Sequence, residues 1–369
     1  MNKKTVAVLF GGCSVEHEIS LISARSIIKN IDTDTYEILP VFISKSGKWL
    51  KINLDKFLDN EFEFSDDHFY IPSLGLDQKP KFYELKESSI VNTIDVDIAF
   101  PVLHGTFGED GTIQGLFELM GLPFVGASVL GSAIGMDKIA MKCVLRHFGL
   151  PVTDFIAFNK NEWENNTSDI TSKIKSEIGF DCFVKSADLG SSIGISKVKK
   201  AEDIPSAVSD SFKYSQRVLV EKAVMNSREI EVSVLGNEDP KASLPGEVTP
   251  EREFYDYKAK YDDDSTSLEI PAKLSEEEII KLKELAVGTF KALDCSGLGR
   301  VDFLLDDKTK EIFVSEINTI PGFTSISMYP KLWEITGIGY SELINKLLEL
   351  ALRRFANRKL LETDYNESV

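Results

Sequence analysis

The opening of the chain alternates strand, helix and strand, and this rhythm constrains the fold more than any other feature. Thr5–Phe10 is an apolar, strand-like run that breaks at Gly11-Gly12; a helical pattern follows from about Val15 to Lys29, then a second strand near Glu37–Ile43. Two strands joined through a helix run parallel, and a parallel sheet needs both faces covered, which points to an α/β layer architecture. Ser14 is the expected N-cap, with Ile19, Ile22 and Ile27 turned inward at roughly helical spacing. The sheet resumes at Asp97–Leu103, followed by a turn-rich segment over 104–111, a helix over Thr112–Met120 and a short strand at Leu122–Val125. Residues 51–93 are acidic, aromatic and irregular, and read as an elaboration on the sheet.

At 369 residues the chain exceeds one ordinary domain. The expected division is 1–135, 136–225, 226–356 and a flexible tail over 357–369. A helix runs from Met136 through His147, a strand follows Pro151, and Cys182–Lys185 pairs across the Gly/Ser turn 188–192 with Ile193–Val198 as an antiparallel hairpin. Helix Ala201–Tyr214 and strand Arg217–Val224 complete that unit. The next unit is strand-rich, with Glu229–Leu235, Lys241–Val248 and Leu268–Leu274 around a long polar loop over 249–266. A helix over Glu276–Leu293, strands Arg300–Leu305 and Ile312–Asn318, and closing helices follow.

Leu119–Met136 carries no charge and approaches the length of a membrane span, but Pro123, four glycines and two serines break it into strand, turn and loop pieces of a soluble core. The N-terminus shows no export signal. Four cysteines lie far apart with no CxxC pair, and four histidines complete no zinc-finger spacing, which fits a reducing compartment. With 42 basic and 59 acidic residues the net charge is −17, which argues against nucleic acid and anionic membranes as general partners. An anionic ligand then needs a local cluster of cations.

Arg300-Val301-Asp302 and Glu316-Ile317-Asn318 form the most informative pair of segments. Two strands joined by the polar turn Asp306–Lys310 make a hairpin, and counting back from that turn sets Asp302 roughly opposite Glu316. Asn318 shares the face of Glu316, so three hard oxygen donors converge, a set suited to Mg²⁺ shared with substrate phosphates; the bland alternative is a solvated outer face. Arg300 shares that face as ion-pair partner or anion clamp. Lys185 ends an apolar strand just before a Gly/Ser loop, and Lys138 opens a helix; such a lysine alone is more often a snorkelling surface residue, and only in a shared site do the two suit a phosphate chain. Gly11-Gly12-Cys13-Ser14 lacks GxGxxG and says only that a small ligand can approach a helix N-terminus. Glu16 is either a helix-dipole carboxylate or a partner for an ammonium group, and His104 either a core histidine or a cleft residue on a loop after a strand. Phe254–Tyr261 concentrates aromatic and basic residues in a long polar loop, as lids do.

Gly11 through Ser20, His104 through Gly111 and Met136-Asp137-Lys138 resemble the N-terminal and linker motifs of D-alanine–D-alanine ligases. Lys185 through Gly194, Glu221-Lys222, Tyr255–Tyr261, Gly299 through Asp302 and Glu316 through Ser325 continue the resemblance in order, over about residues 4–355. It implies an ATP-grasp fold of α/β and α+β parts, in which a Rossmann-like (pre-ATP-grasp) parallel-sheet domain precedes two α+β units that grip ATP. The implied reaction turns ATP and two D-alanines into ADP, phosphate and D-alanyl-D-alanine for peptidoglycan precursors, in the cytoplasm and in a homodimer. A carboxylate oxygen is too poor a leaving group for an amine to displace, so ATP first activates it as an acyl phosphate.

The resemblance also implies roles. Lys138 and Lys185 would hold the α- and β-phosphates, with the loop at Gly190–Ser192 over the transferred group. Glu221 and the backbone of Lys222–Val224 would read adenine, and Glu229 the ribose hydroxyls. Asp302, Glu316 and Asn318 would bind two Mg²⁺ ions, with Mn²⁺ as a possible substitute. Glu16 would bind the ammonium of the first D-alanine with His104 nearby, while Ser327 and Met328 orient the carboxylate of the second. Arg300 and the Gly322 N–H would stabilise the tetrahedral oxyanion; Ser191 and Tyr261 would sit near the reacting centre, with Lys260 on the lid. Ser186 and Asp188 depart from the commonest family pattern, as does Phe323, but none removes a ligand. Tyr261 favours an amine over D-lactate as nucleophile and leaves D-serine open.

Overall fold

The computed structural model describes residues 3–76, 78–190, 194–249 and 267–362. Ser191, Lys260 and Tyr261, with the expected lid, lie outside the described residues. Among the described residues the N-terminal sheet comprises β1 (Lys4–Gly11), β2 (Tyr36–Ile43), β3 (Trp49–Ile52), β4 (Phe64–Pro72), β5 (Lys81–Lys86), β6 (Ser89–Asp95) and β7 (Ile98–Val102), in the order β6-β5-β4-β3-β2-β1-β7. β1 runs parallel to β2 and β7, so the opening rhythm is the parallel crossover that its pattern demands. The crossover helix is α1 (His17–Asn30); α2 (Leu54–Leu58) and α3 (Thr112–Met120) complete this part.

Several local expectations change. Residues 51–93 do elaborate the sheet, but as the antiparallel meander β3 to β6, with α2 between β3 and β4 and register shifts in two of the pairings, instead of as irregular chain. The buried face carries Glu84, which pairs with Lys51 at 2.7 Å and lies 2.6 Å from His68 Nε2, so a charged residue at an inward position masks the period. Helix α1 starts at His17, and Ser14 instead holds the turn before it: its Oγ accepts the Glu16 N–H at 3.1 Å. Ile22 is 48% exposed and faces the cleft instead of the core. Leu122–Val125 makes only a single bridge, Phe124 beside Ala99.

The strand, turn and loop pieces expected before Met136 are in part a helix, α4 (Val129–Met136), followed at once by α5 (Lys138–His147). Gly131, which reads as a breaker, is there for close approach: a Cβ would lie 2.7 Å from the Asp294 carbonyl oxygen. The second sheet holds β8 (Phe155–Asn159), β9 (Cys182–Ser186), β10 (Ser196–Val198) and β11 (Arg217–Lys222) in the antiparallel order β10-β9-β11-β8. α6 (Lys160–Lys173) and α7 (Ile204–Ser211) accompany it; Ile204, Ala207 and Val208 of α7 join Val184, Val198 and Val220 in its core.

The third sheet orders β15-β14-β12-β16-β17, from β12 (Ser227–Gly236), β13 (Lys241–Ala242, paired with β12), β14 (Gly246–Thr249), β15 (Ser267–Glu269), β16 (Gly297–Asp306) and β17 (Ile312–Asn318). α8 (Glu276–Ala292) covers one face together with Met141 and Leu145 of α5. α9 (Met328–Thr336) and α10 (Tyr340–Arg358) close the described chain. α10 returns to the first sheet: Leu343, Leu347 and Ala351 share a core with Val6, Val8, Phe10 and Phe100. Among the described residues no helix is long and apolar enough to cross a membrane.

Candidate active site

Two cavities open where the three sheets meet, of about 590 Å³ and 450 Å³. Glu16, His104, Arg300, Asn318, Gly322, Ser327 and Met328 line the first; Lys185, Glu221, Lys222, Val224, Glu229 and Asp302 line the second. Lys138, Gly190, Glu231 and Glu316 line both, so the cavities meet at one lysine and two carboxylates.

The hairpin of β16 and β17 supplies the centre. Register sets Asp302 opposite Glu316 and Arg300 opposite Asn318. An irregularity between Asp302 and Phe303 makes this possible: Phe303 faces Val314, so an even ladder would set Ser315 opposite Asp302. The extra residue turns Glu316 and Asn318 to the cleft while Val314 and Ile317 stay buried. β12 adds Glu231 opposite Asp302, so three carboxylates stand abreast on neighbouring strands. Such a row is self-repelling unless cations join it. Arg300 grips both oxygens of Asp302 at 2.7 Å and approaches Glu231 Oε2 at 2.9 Å, and these carboxylates keep its guanidinium firmly charged against the cost of burial. Asn318 Nδ2 donates to Asp302 at 2.9 Å, and Lys138 Nζ stands 3.7 Å from Glu316.

The donor set fits a hard divalent cation. Among the described residues no group of three or more His, Cys, Asp and Glu side chains is placed to hold a metal. Here the donors are two opposed carboxylates and a carboxamide whose nitrogen is turned to Asp302, which leaves its oxygen to coordinate, a hard set that suits Mg²⁺.

Glu221 anchors the second cavity. It is 2% exposed, and its carboxylate receives Lys185 on Oε1 and both Lys142 (2.9 Å) and Thr153 (2.9 Å) on Oε2. Burial raises a carboxyl's pKa, but two ammonium groups hold Glu221 below its usual range. Lys142 moves down, because burial and the repulsion of Lys185 outweigh its share of one carboxylate. Spacing gave no role to Lys142 or to Glu231. The signals were Lys138 and Lys142 on one face of α5, and Glu229 and Glu231 on one face of β12.

At the far end of the first cavity, His104 is buried and ties the loop carrying Gly322 to the N-terminal sheet. Its Nδ1–H donates to the Ile320 carbonyl at 2.9 Å; Ser23 Oγ lies 3.3 Å from Nε2 and accepts the Phe323 N–H at 3.4 Å. Burial pushes the imidazole pKa down, consistent with a neutral ring that accepts at Nε2. Glu109, from the same motif, accepts the N–H groups of Gly105 and Ile320; burial first, then Glu16, push its carboxyl up to about 8. Gly105, at φ +73°, lets that loop pass Glu16: a Cβ there would stand 3.0 Å from Glu16 Oε2.

Comparison with known proteins agrees with the order of these parts. The family models described as D-ala D-ala ligase N-terminus and C-terminus match residues 5–127 and 144–349. A D-alanine--D-alanine ligase of Clostridium novyi is 48% identical over 354 residues, covering 95% of this chain and 99% of that protein. One from Chloroherpeton thalassium is 48% identical over 364 residues, 98% of this chain and 99% of that protein. Among solved structures, the D-alanine-D-alanine ligase from Coxiella burnetii superposes with a TM-score of 0.84 at 36% identity, covering 98% of this chain and 97% of that one. The VanG D-Ala:D-Ser ligase from Enterococcus faecalis gives 0.84 at 34% identity, over 95% of this chain and 100% of that one.

Proposed function

Because this chain belongs to the D-alanine–D-alanine ligase family, we propose that the two cavities divide the reaction between them, amino acids in the first and nucleotide in the second. The enzyme is an ATP-dependent ligase of ATP-grasp fold that joins two D-alanines for peptidoglycan precursors. The observation that carries the division is the shared wall of Lys138, Gly190, Glu231 and Glu316, where a carboxylate and a phosphoryl group can be brought together.

Glu16 receives the ammonium of the first D-alanine, and His104 fixes the neighbouring loop. Lys138 and Lys185 hold the α- and β-phosphates, which an acidic protein needs local cations to do. Glu221 and the Lys222–Val224 backbone read adenine, and Glu229 takes the ribose hydroxyls. Ser327 and Met328 orient the second D-alanine, whose free amine attacks the activated carboxyl. Arg300 and the Gly322 N–H then face the developing oxyanion. Ser191, Lys260 and Tyr261, outside the described residues, keep in this scheme the roles that the family resemblance implies. Asp302, Glu316 and Asn318 would hold Mg²⁺, which supplies charge neutralisation for the transferring phosphoryl group. A cytoplasmic location and a homodimer complete the proposal.

One test separates the readings. With D-alanine as the sole amino acid, ADP release should need Mg²⁺ and depend on D-alanine to second order, with a product of the mass of D-alanyl-D-alanine. The match to the VanG D-Ala:D-Ser ligase favours D-serine as the second reading. A mixed D-alanine and D-serine assay yielding chiefly the D-serine product would replace the first.

A further inference from the structure

Lys142 is 1% exposed, yet it lines neither cavity. A lysine so buried is rare unless its charge has work to do against a partner. Its ammonium lies 2.9 Å from Glu221 Oε2 and 3.2 Å from Thr153 Oγ1, and Thr153 itself donates to the same oxygen. Lys185 holds the other oxygen from the cavity side. An ionised carboxylate offers about four lone-pair sites. Three are taken, and the one left is on Oε1, beside Lys185.

The two lysines differ in what can draw them off. Lys185 lines the nucleotide cavity, and a phosphate there competes with Glu221 for its charge. Lys142 lines neither cavity and meets Glu221 from its far side. We propose that Lys142 is a positioning residue for base selection: from behind the cavity it holds the Glu221 carboxylate so that its free lone pair meets the amino group of adenine. A carboxylate accepts from a 6-amino group and repels the 6-oxo group of hypoxanthine, so the pair selects ATP over inosine triphosphate. This rests on the reading of Glu221 as the adenine-reading residue.

The test compares ATP with inosine triphosphate, at saturating D-alanine, for wild type, Lys142→Met, Lys142→Arg, Thr153→Val, Glu221→Gln and Lys142→Met/Glu221→Gln. Lys142→Met should raise KM for ATP about tenfold or more while KM for inosine triphosphate stays within about twofold, so that the preference collapses with a smaller change in kcat. Lys142→Arg should restore most of the preference, and the double variant should be no worse than Glu221→Gln, since Lys142 acts through Glu221. A wild-type preference in Lys142→Met, or losses that multiply in the double variant, overturns the inference. If Lys142→Met does not fold, Thr153→Val carries the test, with an expected loss of about threefold in preference and an unchanged preference overturning the inference. If Glu221→Gln itself leaves the preference intact, the adenine reading of Glu221 fails, a result distinct from failure at Lys142 alone.

Discussion

At the scale of single residues, the site is a balance of charges forced together by register. Glu231, Asp302 and Glu316 stand abreast on β12, β16 and β17, with Arg300 and Lys138 among the cations beside them. Glu316→Gln keeps the shape but removes one charge at the shared wall of the cavities; it should lower kcat by about 10²-fold or more and change ATP binding far less. Near-normal turnover in that variant, with binding measured by calorimetry, would remove the hairpin from the phosphoryl-transfer site. Glu109 gives a pH prediction. Its carboxyl is raised from an unfolded value near 4.5 to about 8. A raised pKa means that the folded state binds the proton more tightly, so this group's stabilising contribution is full below about 4.5 and is lost as pH rises towards 8. Glu109→Gln should therefore flatten the fall in denaturation midpoint across that window, and an equal slope in both proteins would refute the assignment. That the Asp302 and Glu316 segments meet was legible in the sequence because a hairpin turn pairs its two strands, but an even ladder from that turn sets Ser315 opposite Asp302, and the extra residue that brings Glu316 there shows only in the structure. Glu231 was not legible, because β12 meets β16 across a long stretch of chain and nothing local names its partner.

At the scale of elements, local signals worked where a segment's own pattern decides its state. α3 falls at the expected bounds because Gly111 and Gly121 cap its two ends, and β17 because the polar turn before Ile312 starts it and Pro321 follows shortly after its end. α8 begins with a capping box: Ser275 Oγ accepts the Glu278 N–H, and Glu278 accepts the Ser275 N–H at 2.8 Å. Ser275→Ala should cost about 1 kcal/mol of stability with no change in KM, measured by chemical denaturation beside steady-state kinetics. Local signals failed where a tertiary contact reverses them. Gly131 looks like a helix breaker and is a helix residue pressed on Asp294; the acidic 51–93 segment looks irregular and is largely sheet, with its buried Glu84 paired to Lys51 and within hydrogen-bond distance of His68.

At the scale of the whole molecule, the last helix belongs to the first sheet. Leu347 of α10 is fully buried against the core that includes Val8 and Phe10, and Arg354 reaches the carbonyl oxygens of Phe124 and Gly126. Leu347→Ala should cost about 2–5 kcal/mol and lower the melting temperature of the N-terminal part as well as the rest; a melt confined to the C-terminal part would contradict that packing. The net charge of −17 takes its meaning at this scale too. It opposes an anionic nucleotide in general, while the cleft gathers Lys138, Lys185 and Arg300 from three distant stretches of chain. By itself the sequence determined the parallel opening, the hairpin and the chemical types the site needs, because turns, periodicity and short motifs act within a few residues of one another. Only the tertiary structure decided that the two cavities share a wall at Lys138, Gly190, Glu231 and Glu316, that an irregular step in β17 turns Glu316 to the cleft, and that Lys142 backs Glu221 from outside. Those facts depend on packing between elements far apart in the chain, and long-range packing leaves no periodic trace in the residues that make it.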